Sequence, residues 1–330
     1  MSVIDVHEIY VTCRKFGFLI LKKIMNNLLR IGTRSSKLAL WQAFFVEKKL
    51  QEAGFSTEIV HIETKGDKIL DRSLAKIGSK GVFTEELEEK LRLGDIHLAV
   101  HSAKDLPSEL PKDLEIIAFT EREVVNDVLV SFKKNISLQD KLIIGTSSTR
   151  RIATLRHFYP HIQTVEMRGN LQTRMQKLES GVCDAIILAY AGVHRMNYDA
   201  YIIEHLPTHI FTPAAGQGSI AIEVSTHLDM SIKHKITEAL NHTSTAQCLQ
   251  TERSFLKTLQ GGCSVPVFAL ATIQNQKIML RGGVISLDGT QIVEGSLEGN
   301  IQESTILGDS LAKKILQMGG KDILQTIRSL

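Results

Sequence analysis

Leu142-Ile-Ile-Gly-Thr-Ser-Ser-Thr-Arg-Arg-Ile-Ala-Thr-Leu-Arg-His-Phe-Tyr-Pro-His-Ile-Gln-Thr-Val-Glu-Met167 decides the fold class. The apolar run Leu142–Gly145 reads as a strand, Thr149–Phe158 as a helix and Gln163–Met167 as a second strand. A strand, a helix and a returning strand are the βαβ signature of a mostly parallel sheet. The same alternation runs outward in both directions. Further strands are predicted at Thr57–Glu63, His97–Ser102, Glu115–Phe119, Val128–Phe132 and Ala185–Ala189. Helices are predicted at Lys37–Ala53, Thr84–Leu93, Leu171–Ser180 and Met230–Asn241. Thr84 reads as an N-cap with Glu85 and Glu86 in the first turn, and Gly54 and Gly181 as helix stops. Past Cys263 the pattern changes. Val265–Thr272, Lys277–Gly282 and Gln291–Ser296 read as a meander, with turns at Gln274-Asn275-Gln276 and Asp288-Gly289. Ile306–Met318 reads as a helix packed on it. The expectation is an α/β chain with mixed, mostly parallel sheets and a small C-terminal α+β domain.

Composition narrows the class. A chain of 330 residues implies two or three domains, and 43% hydrophobic with 23% charged residues is ordinary for a globular protein. A net charge of +3 does not point to nucleic acid. Neither GxxxxGK[ST] nor GxGxxG occurs, so a nucleotide is not favoured. The four cysteines (Cys13, Cys183, Cys248, Cys263) are widely spaced, with no CxxC and no zinc-like His/Cys spacing. That favours a reducing compartment, no disulfide framework and no metal. Phe16-Gly-Phe-Leu-Ile-Leu21 lies between Arg14-Lys15 and Lys22-Lys23 and is too short to span a bilayer. Met25-Asn-Asn offers no small-residue cleavage site, so residues 1–25 read as an extension, with Met25 as an alternative start.

The cations form one pattern. Lys104, Arg150, Arg151, Arg168 and Arg195 each follow the C-terminal end of a predicted strand, the edge where open α/β sheets bind ligands. Arg150 and Arg151 fall in a helical first turn, where the macrodipole disfavours them, beside the hydroxyls of Thr146, Ser147 and Ser148. Such a set implies a cleft for a polyanion. Guanidinium geometry suits carboxylates and phosphates alike, so the ligand stays open at this level. Asp105 is the acid nearest Lys104.

Cys263 ends the run Glu252-Arg-Ser-Phe-Leu-Lys-Thr-Leu-Gln-Gly-Gly-Cys263. The preceding helix is expected to stop at Gly261-Gly262 through a left-handed glycine cap, and Pro266 to prevent its return. A thiol on a tight loop suits covalent chemistry or attachment, or else packing.

Arg34-Ser-Ser-Lys-Leu-Ala-Leu-Trp-Gln42, His101-Ser-Ala-Lys-Asp-Leu-Pro107, Gly145-Thr-Ser-Ser-Thr-Arg-Arg151, Arg168-Gly-Asn-Leu-Gln-Thr-Arg174 and Pro213-Ala-Ala-Gly-Gln-Gly218 precede the cysteine loop in that order. From about Leu29 to at least Ala269 the chain closely resembles the hydroxymethylbilane synthases, also called porphobilinogen deaminases. The resemblance implies two lobes like those of periplasmic binding proteins. The first would comprise residues 26–120 with 214–238 and the second residues 121–213, with crossovers near 120–124 and 212–219. The C-terminal domain would cover 239–330.

It also implies a dipyrromethane cofactor joined to Cys263 by a thioether and held by Lys104, Arg150, Arg151, Arg174, Ser148 and Ser102. Arg34, Arg168, Arg195, Ser36, Thr146, Ser147, Gln42 and Gln217 would bind substrate, and Lys76, Lys80 and Phe83 would belong to a lid. Asp105 would be the catalytic carboxylate, stabilising positive charge on the pyrrole nitrogen as ammonia leaves. Porphobilinogen is the implied substrate, and no metal, membrane or nucleic acid is needed. The expected protein is a cytoplasmic monomer whose product passes to the next enzyme of the pathway. Two departures stand out: Phe268 replaces a small residue near the cofactor loop, and Glu121-Arg-Glu-Val-Val-Asn-Asp127 only partly matches the family's crossover segment. The competing readings are a non-catalytic, two-lobed anion-binding protein and an enzyme using Cys263 as a turnover nucleophile, with His97 or His101 as base.

Overall fold

The computed structural model describes residues 28–68, 84–262 and 264–329. Strands β1 (Leu28–Arg34), β2 (Ser56–Ile62), β3 (Leu98–Ser102) and β4 (Leu114–Phe119) open a first sheet. The chain then crosses over and builds a second from β5 (Asp127–Val130), β6 (Ile143–Gly145), β7 (Gln163–Val165), β8 (Ala185–Ala189) and β9 (Ile202–His205). It returns as β10 (Ile220–Ser225), which inserts into the first sheet. The spatial orders are β2-β1-β3-β10-β4 and β7-β6-β8-β5-β9, the same topology twice. β1 pairs in parallel with β2 and β3, while β10 runs antiparallel to β3 and β4. β6 pairs in parallel with β7 and β8, while β5 runs antiparallel to β8 and β9. In each sheet the one reversed strand is the one arriving from the other lobe. The sheets are therefore mixed and mostly parallel, as expected.

Helices α1 (Lys37–Glu52), α2 (Glu85–Arg92), α3 (Thr149–Phe158), α4 (Leu171–Glu179), α5 (Tyr190–Arg195) and α6 (Met230–Leu240) cover these sheets. Ala43, Val46 and Leu50 of α1 pack on Leu29, Ile31, Leu98 and Ile222 in the first lobe. Leu155 of α3 packs on Leu129, Ile144 and Ile187 in the second. Periodicity misses β1, β9, β10 and α5, all short elements. The partners of β10 lie a hundred residues and more upstream. Thr84 does not cap α2; its hydroxyl donates to Glu88 Oε1 (2.7 Å) instead. Gly54 and Gly181 end their helices at φ +88° and +77°.

The C-terminal part comprises α7 (Thr243–Thr258), the antiparallel sheet β11 (Val267–Gln274), β12 (Lys277–Ile285) and β13 (Ile292–Asn300), then α8 (Ser304–Ile315) and α9 (Lys321–Arg328). Asn275 and Gln276, both at positive φ, form the two-residue β11–β12 turn. The predicted helix Ile306–Met318 begins two residues earlier, as α8, and runs on past Ile315 as one wider, π-type turn until Gly319, at φ +107°, separates it from α9. At the end of α7 the left-handed residue is Gln260 (φ +49°), not a glycine. A Cβ on Gly261 would lie 2.5 Å from Leu256 Cδ1, so the end of the Leu256 side chain would have to shift. Phe268 is buried against Ala153 of α3 and Ile285, so its ring fills the contact with the second lobe. The larger contact is with the first lobe, whose Ala103, Leu106, Phe119 and Ala221 share one core with Leu249, Phe255 and Val267.

One buried carboxylate joins the three parts. Glu252 of α7, fully buried, accepts two hydrogen bonds from Arg122 in the first crossover (2.6 and 3.1 Å). It also accepts the Gly216 N–H of the second crossover and the Ala271 N–H of β11, both at 2.8 Å. Glu252→Gln leaves Arg122 buried without its counter-ion and is expected to lower stability by about 3–5 kcal/mol. Guanidinium-chloride unfolding would measure it, and a loss below about 1 kcal/mol would contradict this role.

Candidate active site

The C-terminal ends of the parallel strands carry the site. Arg34 ends β1, and Ser36 caps α1 by accepting the Ala39 N–H (3.3 Å). Lys104 and Asp105 occupy a single 3-10 turn directly after β3. Arg34, Ser36, Gln42, Ser102 and Asp105 line one cavity, together with Thr84 and His101. Gln42 is buried in its wall and donates to Ser102 Oγ (2.9 Å). The turn is pressed from behind by Gly216, at φ +80°, where a Cβ would lie 2.8–2.9 Å from the backbone of Ala103 and Lys104.

The second lobe carries the other candidate residues. Thr146 Oγ1 accepts the Ser148 N–H (3.3 Å), Ser147 Oγ accepts the Met167 N–H (3.0 Å), and Ser148 Oγ caps α3 at the Arg151 N–H (3.4 Å). Arg150 and Arg151 differ from the expectation of cations facing an anion in the cleft. Both are buried, and the anion they face is Asp127, each donating to one of its oxygens at 2.8 Å. Their other Nη atoms donate to Thr212 O and Ile187 O. Gln217 is likewise withdrawn: 1% exposed, it donates to Asp127 Oδ1 (2.9 Å) and Val125 O (2.7 Å). Burial alone would raise the Asp127 pKa; the two guanidiniums, with hydrogen bonds from Arg151 and Gln217, hold it well below the carboxylate range. Asp127 was not legible as a site residue, although a carboxylate heading the wholly buried run Asp127–Val130 is a signal that it must be paired.

The charges do not balance. Lys104 makes no hydrogen bond among the described residues, and burial pushes its pKa down to about 8; Asp105 opposes this while Arg151 and Arg150 add to it. Burial and the nearby Arg151 lower Arg174 to about 10, against the pull of Asp105, and its Nε donates to Gly169 O (2.9 Å). Among the described residues, Asp105 and Asp127 are the carboxylates that act on Lys104, Arg150, Arg151 and Arg174. Arg168 lies 3.9 Å from Glu166. Arg195 donates to Gly218 O (2.8 Å) and sits 5.2 Å above the Trp41 ring, bridging the lobes. Such a surplus of partly buried cations fits a ligand rich in carboxylates.

Cys183 and Cys248 are buried free thiols, both pushed up by burial, Cys248 to about 11, and so are inert at neutral pH. Cys263, Lys76, Lys80 and Phe83 lie outside the described residues. Among the described residues no group of His, Cys, Asp and Glu is placed to hold a metal, and no helix is long and apolar enough to cross a membrane.

Residues 29–233 match a family model described as porphobilinogen deaminase, dipyromethane cofactor binding domain; residues 246–317 match porphobilinogen deaminase, C-terminal domain. The chain belongs to the porphobilinogen deaminase family. It is 50% identical over 303 residues to the porphobilinogen deaminase of Desulfosudis oleivorans (91% of this chain, 98% of that one). It is 53% identical over 306 residues to that of Cytophaga hutchinsonii (92% and 98%). Among solved structures, the VFT2 domain of Bordetella pertussis BvgS is 16% identical with a TM-score of 0.43, covering 69% of this chain and 92% of that one. A porphobilinogen deaminase is a transferase of tetrapyrrole synthesis, and its cofactor is a dipyrromethane.

In ligand-free protein, Lys104 is expected to titrate at about 8. It is charged below that pH and neutral above it, so carboxylate affinity falls as the pH rises through this range. A bound carboxylate raises the midpoint. Lysine-selective 13C NMR with and without ligand would measure both, and an unshifted ligand-free midpoint in the ordinary lysine range would refute the buried-cation account.

Proposed function

We propose that this chain is a hydroxymethylbilane synthase that deaminates four porphobilinogen molecules and joins them head to tail on a covalently held primer. Hydrolysis then releases linear hydroxymethylbilane. The observation that carries this reading is the surplus of partly buried positive charge around Asp105. Porphobilinogen bears acetate and propionate arms, and each added ring brings two more carboxylates. A cleft with unneutralised cations from both lobes suits that growing polyanion better than a neutral substrate.

The dipyrromethane, when bound, supplies the primer end to which each new ring is joined. Cys263 would hold it through a thioether. Lys104 and Arg174 would take its carboxylates, with Ser102 and Ser148 adding hydroxyl donors. Arg150 and Arg151, sharing the single charge of Asp127, leave a net positive potential behind them that favours the same anion. Arg34 and Ser36 in the cavity, Arg168 just past β7 and Arg195 at the end of α5 would receive the carboxylates of incoming substrate. Thr146, Ser147 and Gln42 would shape the pocket walls. Gln217, bound to Asp127, would act through the crossover rather than by touching substrate. Lys76, Lys80 and Phe83 would cover the cleft.

Asp105 lies where the chemistry needs a fixed anion. As ammonia leaves the aminomethyl arm, positive charge spreads to the pyrrole nitrogen. The Asp105 carboxylate would accept a hydrogen bond from that N–H and stabilise the charge as it develops. It would also move a proton toward the departing ammonia. Every condensation needs these services, so one carboxylate can serve all four.

The protein would act as a cytoplasmic monomer and pass its product to the next pathway enzyme. Two measurements test the central reading. Intact mass of the purified chain, after incubation with porphobilinogen if needed, is expected to exceed the bare chain by one dipyrromethane, and Cys263→Ser to show no excess. An unmodified parent would return Cys263 to a packing role and favour the anion-binding reading. Asp105→Asn is expected to fold and load but lose about 10²–10³-fold in turnover; near-parental turnover would remove Asp105 from the mechanism.

A further inference from the structure

Behind the Lys104–Asp105 turn lies a buried polar group that the reaction as outlined does not use. Glu223 is fully buried on β10. Its Oε2 lies 2.9 Å from Nε2 of His101, which is 5% exposed on β3. Its Oε1 is buried with no hydrogen-bond partner among the described residues. Arg253 of α7 is near enough to feel the Glu223 charge, and its Nη2 donates to Pro107 O (3.0 Å).

These contacts bracket the turn. His101 directly precedes Ser102, and Pro107 follows Asp105 by two residues. His101 lines the same cavity as Asp105. His101 thus ties one end of the segment that presents Lys104 and Asp105 to Glu223, and Arg253 ties the other end to α7. A buried carboxylate costs stability unless its charge is answered, and a lone apolar pair would fill the same space without that cost. A fold needing only packing has no use for the group; a site needing one fixed backbone position does.

We propose that Glu223, His101 and Arg253 are positioning residues that hold the Lys104–Asp105 turn in its working register, acting through the backbone on either side. The proposal rests on the role given to Asp105 above. Small displacements of a reacting group are expensive: about 1 Å can cost about 10²-fold in rate. Glu223→Gln keeps the shape and a hydrogen-bonding group beside His101 but removes the charge facing Arg253. Arg253→Lys keeps the positive charge but loses the guanidinium fork that reaches Pro107 O.

The test compares parent, Glu223→Gln, Arg253→Lys and Asp105→Asn as full chains. Steady-state kinetics with porphobilinogen, intact mass for cofactor loading and thermal unfolding are measured on each. Both positioning variants are expected to load fully and lose about 10- to 100-fold in kcat, with KM within about twofold of the parent. A kcat within about twofold of the parent in a folded, loaded variant, while Asp105→Asn is inactive, overturns the proposal and leaves Asp105 standing. A loss of kcat that only tracks the unfolded or unloaded fraction overturns it too, in favour of a structural role. If Asp105→Asn keeps near-parental turnover, the Asp105 reading falls and this proposal falls with it. Should Glu223→Gln not accumulate as folded protein, the same criteria applied to Arg253→Lys decide.

Discussion

Glu252 holds the architecture together. Its two buried oxygens receive four hydrogen bonds, from the first crossover, the second crossover and the C-terminal sheet. Charge-assisted bonds of this kind are short and directional, so they fix geometry as well as supply energy. The consequence reaches the site within a few residues. Gly216, held by Glu252, presses on the backbone of Ala103 and Lys104, and the next residue, Gln217, binds Asp127. The crossover therefore sits between two buried carboxylates, one facing the C-terminal domain and one facing the arginines of α3. Cys263 lies eleven positions after Glu252 on the same chain.

The unequal attachment of the C-terminal domain follows from packing. It shares an extended apolar core with the first lobe, but meets the second through a small cluster of Ala153, Phe268 and Ile285. Polar contacts add to the smaller face: Arg156 donates to Leu287 O (2.6 Å), and His157 Nδ1 lies 2.7 Å from Gly289 O. Phe268 thus packs on the second lobe.

Electrostatics in the cleft depend on an imbalance. Asp127 pairs with two guanidiniums at once, each of which keeps a buried Nε with no partner among the described residues, and a single negative charge between them leaves a net positive field. Lys104 and Arg174 bear the cost, each with its pKa lowered by burial. An anionic ligand entering the cleft would restore the favour of the charged forms.

The sequence by itself determined the alternation of strands and helices, because apolar periodicity and glycine stops are local properties: Thr149–Phe158 and Ala185–Ala189 have the bounds that their spacing predicts. It also placed Lys104 directly after β3, because the residue after a parallel strand is at the ligand edge whatever its partners are, but not Arg195, which ends α5 instead. Its ordered motifs were enough to mark the family. Only the tertiary structure decided which cations remain unneutralised. Arg150 and Lys104 look alike in sequence and are equally far along the chain from Asp127, yet folding sets Asp127 against Arg150, while the Lys104 side chain makes no hydrogen bond with any described residue. The same holds for β10, whose reversed insertion joins residues over a hundred positions apart, and for Glu223 and Glu252, buried carboxylates that acquire a function only from what long-range folding sets against them. Periodicity reports which face of an element is buried; it carries no information on which distant charge that face will meet.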